Sequence, residues 1–197
     1  MKFIVGLTGQ TGAGKTETGA IAEKLGFYVI DCDKVAKSVT SKNSNAISAL
    51  IKAFGGGITD GNGNIDRKKL AKRAFADKDS TELLNKTVLP FISEQIKNII
   101  SSEKSDKILL DAPTLFESGI NEICDFTLAV VADEKIRLKR IMNRDGISER
   151  EATARINAGK SIDFFLKNAD KVIYNNGDIQ TYKKEFEFVL GGITNVG

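Results

Sequence analysis

The sequence predicts an α/β chain in which five strands alternate with helices to form a doubly wound parallel sheet. Three observations carry that expectation. A short apolar run over residues 2–8 leads into Gly9-Gln10-Thr11-Gly12-Ala13-Gly14-Lys15-Thr16 and then into a helical pattern with Ile21, Ala22 and Leu25 on one face. Two further apolar runs, at residues 107–111 and 126–131, are bounded by polar turns and are short enough to be buried strands. Between and after them lie segments of helical period, and strands alternating with helices build parallel sheets.

The eight-residue stretch is a phosphate loop: Gly, four free residues, then Gly-Lys-Thr, in the strand–loop–helix setting the motif requires. Glycines at 9, 12 and 14 permit backbone conformations closed to other residues, so successive amides can turn inward around an anion. The helix starting near Lys15 adds its positive dipole end. Lys15 is expected to bridge the β- and γ-phosphates, and the Thr16 hydroxyl to ligate Mg²⁺. The reading is a site for a nucleoside triphosphate.

Composition bounds the rest. A chain of 197 residues with 41% hydrophobic and 28% charged residues can bury one substantial core. A net charge of +3 suits a small anionic substrate and gives no sign of nucleic acid. There is no histidine, which excludes Cys/His zinc sites and Ser-His or Cys-His nucleophile pairs; Cys32 and Cys124 fit reduced thiols rather than a disulfide framework. The N-terminal apolar run reaches glycine too soon for a signal peptide, and no run has membrane-spanning length. A cytoplasmic enzyme without membrane or nucleic-acid partners is expected.

Along the chain, residues 27–31 form the second strand, ending in Asp31-Cys32-Asp33. An extended chain would put both carboxylates on one side, at a strand end that faces the ligand crevice. Asp33 is the candidate base that accepts an acceptor hydroxyl's proton; the alternative for either Asp is a cap on the helix that follows. Residues 34–104 read as mostly helical, too long for a simple crossover and so a candidate acceptor-binding lobe. Helices are expected over 43–54, 66–75, 80–85 and, after Pro90, 91–102, with a turn at 60–64. The third strand, Lys107–Asp111, has the shape of a Walker B strand whose Asp111 holds Mg²⁺ directly or through water.

Asp133 opens a basic helix with Arg137, Arg140 and Arg144 on one face and Leu138, Ile141 and Met142 on another. Asp145-Gly146 breaks it, and Ser148-Glu149-Arg150-Glu151 is a capping-box start to a helix reaching about Ala158. Such an arginine-bearing hairpin suits a closing lid, with Arg140 and Arg144 the functional candidates. A fifth strand at 171–174 and a helix over 178–190, with Tyr182, Phe186 and Val189 at core spacing, precede a loose tail at 191–197. The whole is one domain, with a core of 1–33, 105–132 and 170–190, a lobe of about 34–104 and a lid of about 133–169.

Several stretches together resemble the dephospho-CoA kinase family over essentially the full length. They are residues 6–16, residues 29–36, Asp66-Arg67 with Leu70 and Phe75, residues 109–117, Arg140 with residues 144–148, Ala152 and Arg155, and residues 169–177. The chain departs from the family pattern at Leu89 before Pro90, at Gly159 and just after Val39. The resemblance implies a P-loop kinase that moves the ATP γ-phosphoryl to the ribose 3′-hydroxyl of dephospho-CoA, the last step of coenzyme A biosynthesis. It implies Asp33 as the base and Lys15 and Arg140 on the phosphates. Thr11, Gly12, Ala13, Gly14, Lys15, Thr16, Glu17 and Arg144 would bind ATP, with Asn175 beside the adenine, and Thr16 and Asp111 would hold Mg²⁺. A monomer or weak homo-oligomer is expected. The rivals are another small-molecule kinase of the same architecture, or a nucleotide hydrolase or switch without an acceptor. A GTPase would want an Asn-Lys-x-Asp guanine reader, which neither 168–170 nor Lys86 supplies.

Overall fold

The computed structural model describes residues 2–42 and 44–194, the side chains of 42 and 194 excepted. The chain divides into two compact units, residues up to 30 with those from 104 onward, and residues 31–103.

The first unit carries a five-stranded parallel sheet: β1 (Phe3–Gly9), β2 (Tyr28–Asp31), β3 (Lys107–Asp111), β4 (Phe126–Val131) and β5 (Lys171–Tyr174), in the order β2-β3-β1-β4-β5. β1 is central and buries Val5, Gly6, Leu7 and Thr8 consecutively. That is the mark of a parallel strand covered on both faces. On one face Val5, Leu7, Leu109, Leu128, Val130 and Ile173 pack with Ile21 and Ala22 of α1 (Thr16–Lys24) and with Tyr182, Phe186 and Leu190 of the last helix. Neighbours two residues apart on a strand share a face, so Ala129 and Val131 point the other way, against Phe165. Carboxylates peg the strand starts: Asp125 accepts from the Ile4 amide at 2.7 Å, and Asp170 from the Thr127 amide and hydroxyl at 2.7 and 2.6 Å. The chain order reverses about β1, so its carboxyl end lies at a topological switch point, where parallel sheets bind ligands.

The second unit is helical: α2 (Cys32–Lys42), α3 (Ser44–Phe54), α4 (Arg67–Ala74) and α5 (Lys78–Ser102). The turn at 60–64 forms as expected, the Asp60 carboxylate accepting from the Asn62 and Asn64 amides at 2.9 Å each. Asp66 caps α4, accepting from the Lys68 and Lys69 amides. Two helices expected on either side of Pro90 are one: α5 runs through it. Pro90 and Lys86, whose carbonyl loses its donor, are both exposed, while Val88, Ile92, Ile96 and Ile100 are buried. Burying four aliphatic side chains, at about 1.5–3 kcal/mol each, outweighs the roughly 3 kcal/mol that an interior proline costs.

The remaining helices belong to the first unit: α6 (Glu134–Asp145), α7 (Glu149–Asn157), α8 (Ile162–Asn168) and α9 (Ile179–Thr194). The capping box of α7 is present in full, and Gly146 ends α6 in the left-handed conformation. α8 was not expected as a separate element; Ser161 caps it and Phe165 anchors it to β4. The expected loose tail is helical as far as Thr194, where Leu190 packs in the core; residues 195–197 lie outside the described residues.

Candidate active site

Six residues, 10–15, join β1 to α1. The Gln10 carbonyl accepts from the Ala13 amide at 3.0 Å, which closes the loop's turn. Gly12 and Gly14 have φ of +80° and +95°, in the region that favours glycine. Space excludes other residues as well: a Cβ on Gly12 would lie 2.9 Å from Cγ1 of Ile141, and one on Gly14 would strike the Asn175 amide. Lys15 stands at the N-terminus of α1, which has no side-chain cap. An uncapped helix start leaves amides and a partial positive charge facing outward, a ready anion site.

Sheet order brings Asp111 to this loop. β3 pairs with β1 so that Asp111 lies opposite Leu7, and the Lys15 ammonium forms an ion pair with the Asp111 carboxylate. Both side chains are mostly buried, at 17% and 24% exposure.

Behind the loop, two side chains grip one carbonyl. Nδ2 of Asn175 donates to the Ala13 oxygen at 2.8 Å and Nη1 of Arg140 donates to it at 3.2 Å; Nη2 of Arg140 donates to Oδ1 of Asn175 at 3.3 Å. Asn175 is 1% exposed, so the residue expected beside the adenine directs its amide at the loop backbone and at Arg140. Arg137, expected on one helix face with the functional candidates Arg140 and Arg144 but not itself one of them, is buried and donates through Nε to the Ala132 carbonyl at 3.0 Å. Burial pulls its pKa below the ordinary arginine value.

Arg144 is exposed and makes a bidentate pair with Asp145, at 2.7 and 2.9 Å. The hydrogen bond from Arg144, then the charges of Arg144 and Arg155, hold the Asp145 carboxyl below its usual range. Glu17 pairs with Lys183 of α9 at 3.3 Å. Thr11 and Thr16 are exposed, while Ala13 is fully buried.

A cavity of about 670 Å³ opens over the loop, lined by residues 9–12 and 14–16 with Pro113, Arg140, Asn143 and Arg144. The structure thus brings together the loop, Asp111, Arg140, Arg144 and Asn175. Three neighbours escaped the sequence reading. Asn143 follows Arg140 by three residues, a helical spacing that could have found it. Pro113, whose carbonyl accepts from the Thr8 hydroxyl at 3.1 Å, lies in the 109–117 stretch that carries the family resemblance but had no role assigned to it. Gln10 looked like a free position of the motif.

Asp33 belongs to the second unit. The chain turns helical at Cys32, so the extended geometry expected to align Asp31 with Asp33 ends at Asp31. Asp31 is the residue that caps: its carboxylate accepts from the Lys34 amide at 2.9 Å and meets the Lys34 ammonium at 3.1 Å. Burial pushes the Asp31 carboxyl up, but those Lys34 contacts together hold it below its ordinary value. Asp33 sits in the first turn of α2, exposed.

A loop that aims a lysine and a helix start at one cavity, with arginines of a following helical hairpin on its wall, is how P-loop kinases hold the phosphates of a nucleotide. The chain has that fold and is of that class. The family model described as dephospho-CoA kinase matches residues 3–181. The dephospho-CoA kinase of Fusobacterium nucleatum is 39% identical over 186 residues, covering 94% of this chain and 95% of that protein. Among solved structures, TT1252 from Thermus thermophilus superposes with a TM-score of 0.80 at 28% identity, covering 97% of each chain. The dephospho-CoA kinase from Campylobacter jejuni superposes with a TM-score of 0.71 at 28% identity, covering 99% of this chain and 98% of that one. The chain belongs to the dephospho-CoA kinase family, whose reaction is the ATP-dependent phosphorylation of dephospho-CoA that completes coenzyme A biosynthesis.

Proposed function

We propose that this chain transfers the γ-phosphoryl group of ATP to the ribose 3′-hydroxyl of dephospho-CoA, releasing coenzyme A and ADP. The observation that supports it most is the convergence of Lys15, the uncapped start of α1 and Arg140 on one cavity of about 670 Å³. In this reading the loop amides and Lys15 hold the β- and γ-phosphates, and Arg140 and Arg144 offset charge on the transferring group. Asp33 accepts the 3′-hydroxyl proton as the O–P bond forms and the bond from the γ-phosphorus to the bridging oxygen breaks. Asn175 positions Arg140 and the loop.

The Thr16 hydroxyl and the Asp111 carboxylate are hard oxygen donors of the kind Mg²⁺ prefers, and they fit that ion together with phosphate oxygens and water. Among the described residues no group of three His, Cys, Asp or Glu side chains is placed to hold a metal. Held by Thr16 and Asp111, Mg²⁺ would supply positive charge against the negative charge on the phosphates. Residues of about 34–104 are read as the acceptor-binding lobe, and those of about 133–169, with the α6–α7 hairpin, as the lid. No helix of the described residues is long and apolar enough to cross a membrane; a cytoplasmic location is part of the proposal. A monomer or weak homo-oligomer, without nucleic-acid or membrane partners, completes the reading.

The test is ADP release from Mg²⁺-ATP with dephospho-CoA, with nucleosides or nucleoside monophosphates, or with no acceptor. Release that depends on dephospho-CoA is expected. Release without any acceptor would indicate a hydrolase, and dependence on another acceptor would keep the phosphate chemistry and change the substrate. Asp33→Asn should keep ATP affinity nearly intact while slowing transfer by about 10²–10⁴-fold. A loss of ATP binding instead would make Asp33 a metal or structural residue.

A further inference from the structure

Gln10 is the second residue of the phosphate loop and only 6% exposed. Its backbone amide donates to the Val130 carbonyl at 3.0 Å and its carbonyl accepts from Ala13, so its main chain is committed to β4 and to the loop's own turn. Its carboxamide reaches elsewhere. Nε2 donates to the Lys160 carbonyl at 3.1 Å, and Oε1 accepts from the Ala132 amide at 3.4 Å.

Those two partners share one property. Ala132 is where the chain leaves β4 towards α6, and Lys160 is where it returns from α7 towards α8. One buried side chain therefore clasps both ends of the hairpin that carries Arg140 and Arg144. On the far side of each junction the chain is anchored, by Val131 and Phe165 in the cluster they share. Between the junctions the hairpin has its own small core of Ile141, Ala152 and Ile156. α6 also meets the rest of the unit through Ile136 on the sheet core and Arg140 on the Ala13 carbonyl, but Gln10 is the side chain that holds both junctions at once.

We infer that Gln10 is a positioning residue that couples occupancy of the phosphate loop to the stance of the arginine hairpin. The inference rests on the reading of the loop as the nucleotide site. The Gln10 carbonyl closes the loop's turn by accepting from the Ala13 amide, so a tightening of that turn around phosphates reaches its carboxamide. A buried amide that lost its partners would leave polar groups unsatisfied, so the Ala132 amide and the Lys160 carbonyl move with it. A side chain that merely filled space or added stability would not transmit this.

Hydrogen exchange on the full chain, with and without ADP, separates the two roles. In the wild type ADP should slow exchange over residues 11–18 and also over α6 and α7, the latter by a factor within the roughly 5–150-fold range of ordinary site coupling. Gln10→Met keeps the length and removes both hydrogen bonds; it should retain slowing over 11–18 and lose it over α6 and α7. Gln10→Glu keeps the acceptor for Ala132 but has no donor for Lys160, and serves as the test if the methionine variant does not fold. Slowing over α6 and α7 equal to that of the wild type in these variants would overturn the inference. So would a wild type slowed over 11–18 but not over the hairpin, and that result would leave the nucleotide reading standing. No slowing over 11–18 in the wild type would remove the nucleotide reading and this inference together.

Discussion

The phosphate loop and the arginine hairpin face the same cavity but are held in opposite ways. The loop is fixed by backbone: Ala13 is fully buried, its carbonyl is gripped by Asn175 and Arg140, and Gly12 and Gly14 lie where no Cβ fits. The hairpin reaches the loop through Arg140 and the sheet core through Ile136, but its two helices are held to each other by a small apolar cluster and by Asp145, which pairs with Arg144 and Arg155 at half-exposed positions. Buried backbone contacts are strong and unaffected by salt, whereas exposed ion pairs contribute little and are screened. A cradle of buried contacts suits phosphates that must be kept in one geometry.

The largest expected effect tests the cradle. Lys15→Ala should cut turnover by at least about 10²–10³-fold, since it removes a charge aimed at the transferring group. Steady-state ADP release measures it, and activity like that of the wild type would refute the site. Next come two glycines with positive φ in contrasting surroundings. Gly14→Ala combines the strain of φ +95° with displacement of the Asn175 amide. It should lose at least about 2 kcal/mol, lowering Tm by roughly 4–8 °C, and should weaken ATP binding. Gly146→Ala has φ of +64° but open space around it, so only the backbone strain remains. A loss of about 1 kcal/mol, or roughly 2–4 °C in Tm, is expected with ATP affinity unchanged. Equal effects at the two glycines would erase the contrast between cradle and hairpin.

The smallest effect belongs to Asp145→Asn, which loosens Arg144 and Arg155 on an exposed surface. Its melting curve at pH 7 and moderate salt should lie only slightly below that of the wild type, since exposed ion pairs contribute little. The Asp145 carboxyl titrates below its ordinary value in the folded chain. Its contribution is therefore present above the unfolded pKa, about 3.9, and is lost as the pH falls through the lower folded value. A difference between wild type and variant should accordingly shrink below about pH 4. A variant that melted well below the wild type at pH 7 would show that the hairpin is held as firmly as the loop.

Much of this was legible in the sequence where the signal is local. The glycine spacing of the loop, the apolar runs of β3 and β4 and the capping box at Ser148 each need only neighbouring residues to be recognised, and each formed where expected. Where local rules and burial disagreed, burial won: Pro90 reads as a break but lies inside α5, because the buried stripe on either side of it keeps one period. At Asp31-Cys32-Asp33 the strand pattern gave way at once to a helix, and the acidic residue that serves the backbone is Asp31 rather than Asp33.

The candidate site divides along the same line. The sequence by itself determined the anion-binding loop, the lysine and threonine that close it and the arginine-bearing hairpin, since glycine conformations, helix termini and helical periodicity act over a few residues. Only the tertiary structure decided that β3 lies beside β1, which sets Lys15 against Asp111 across 96 positions. It alone placed Asn175 on the Ala13 carbonyl across 162 positions, and Gln10 on Lys160 across 150. Strand order follows from how apolar faces are buried across the whole chain, and that is a global sum which no short stretch of sequence contains.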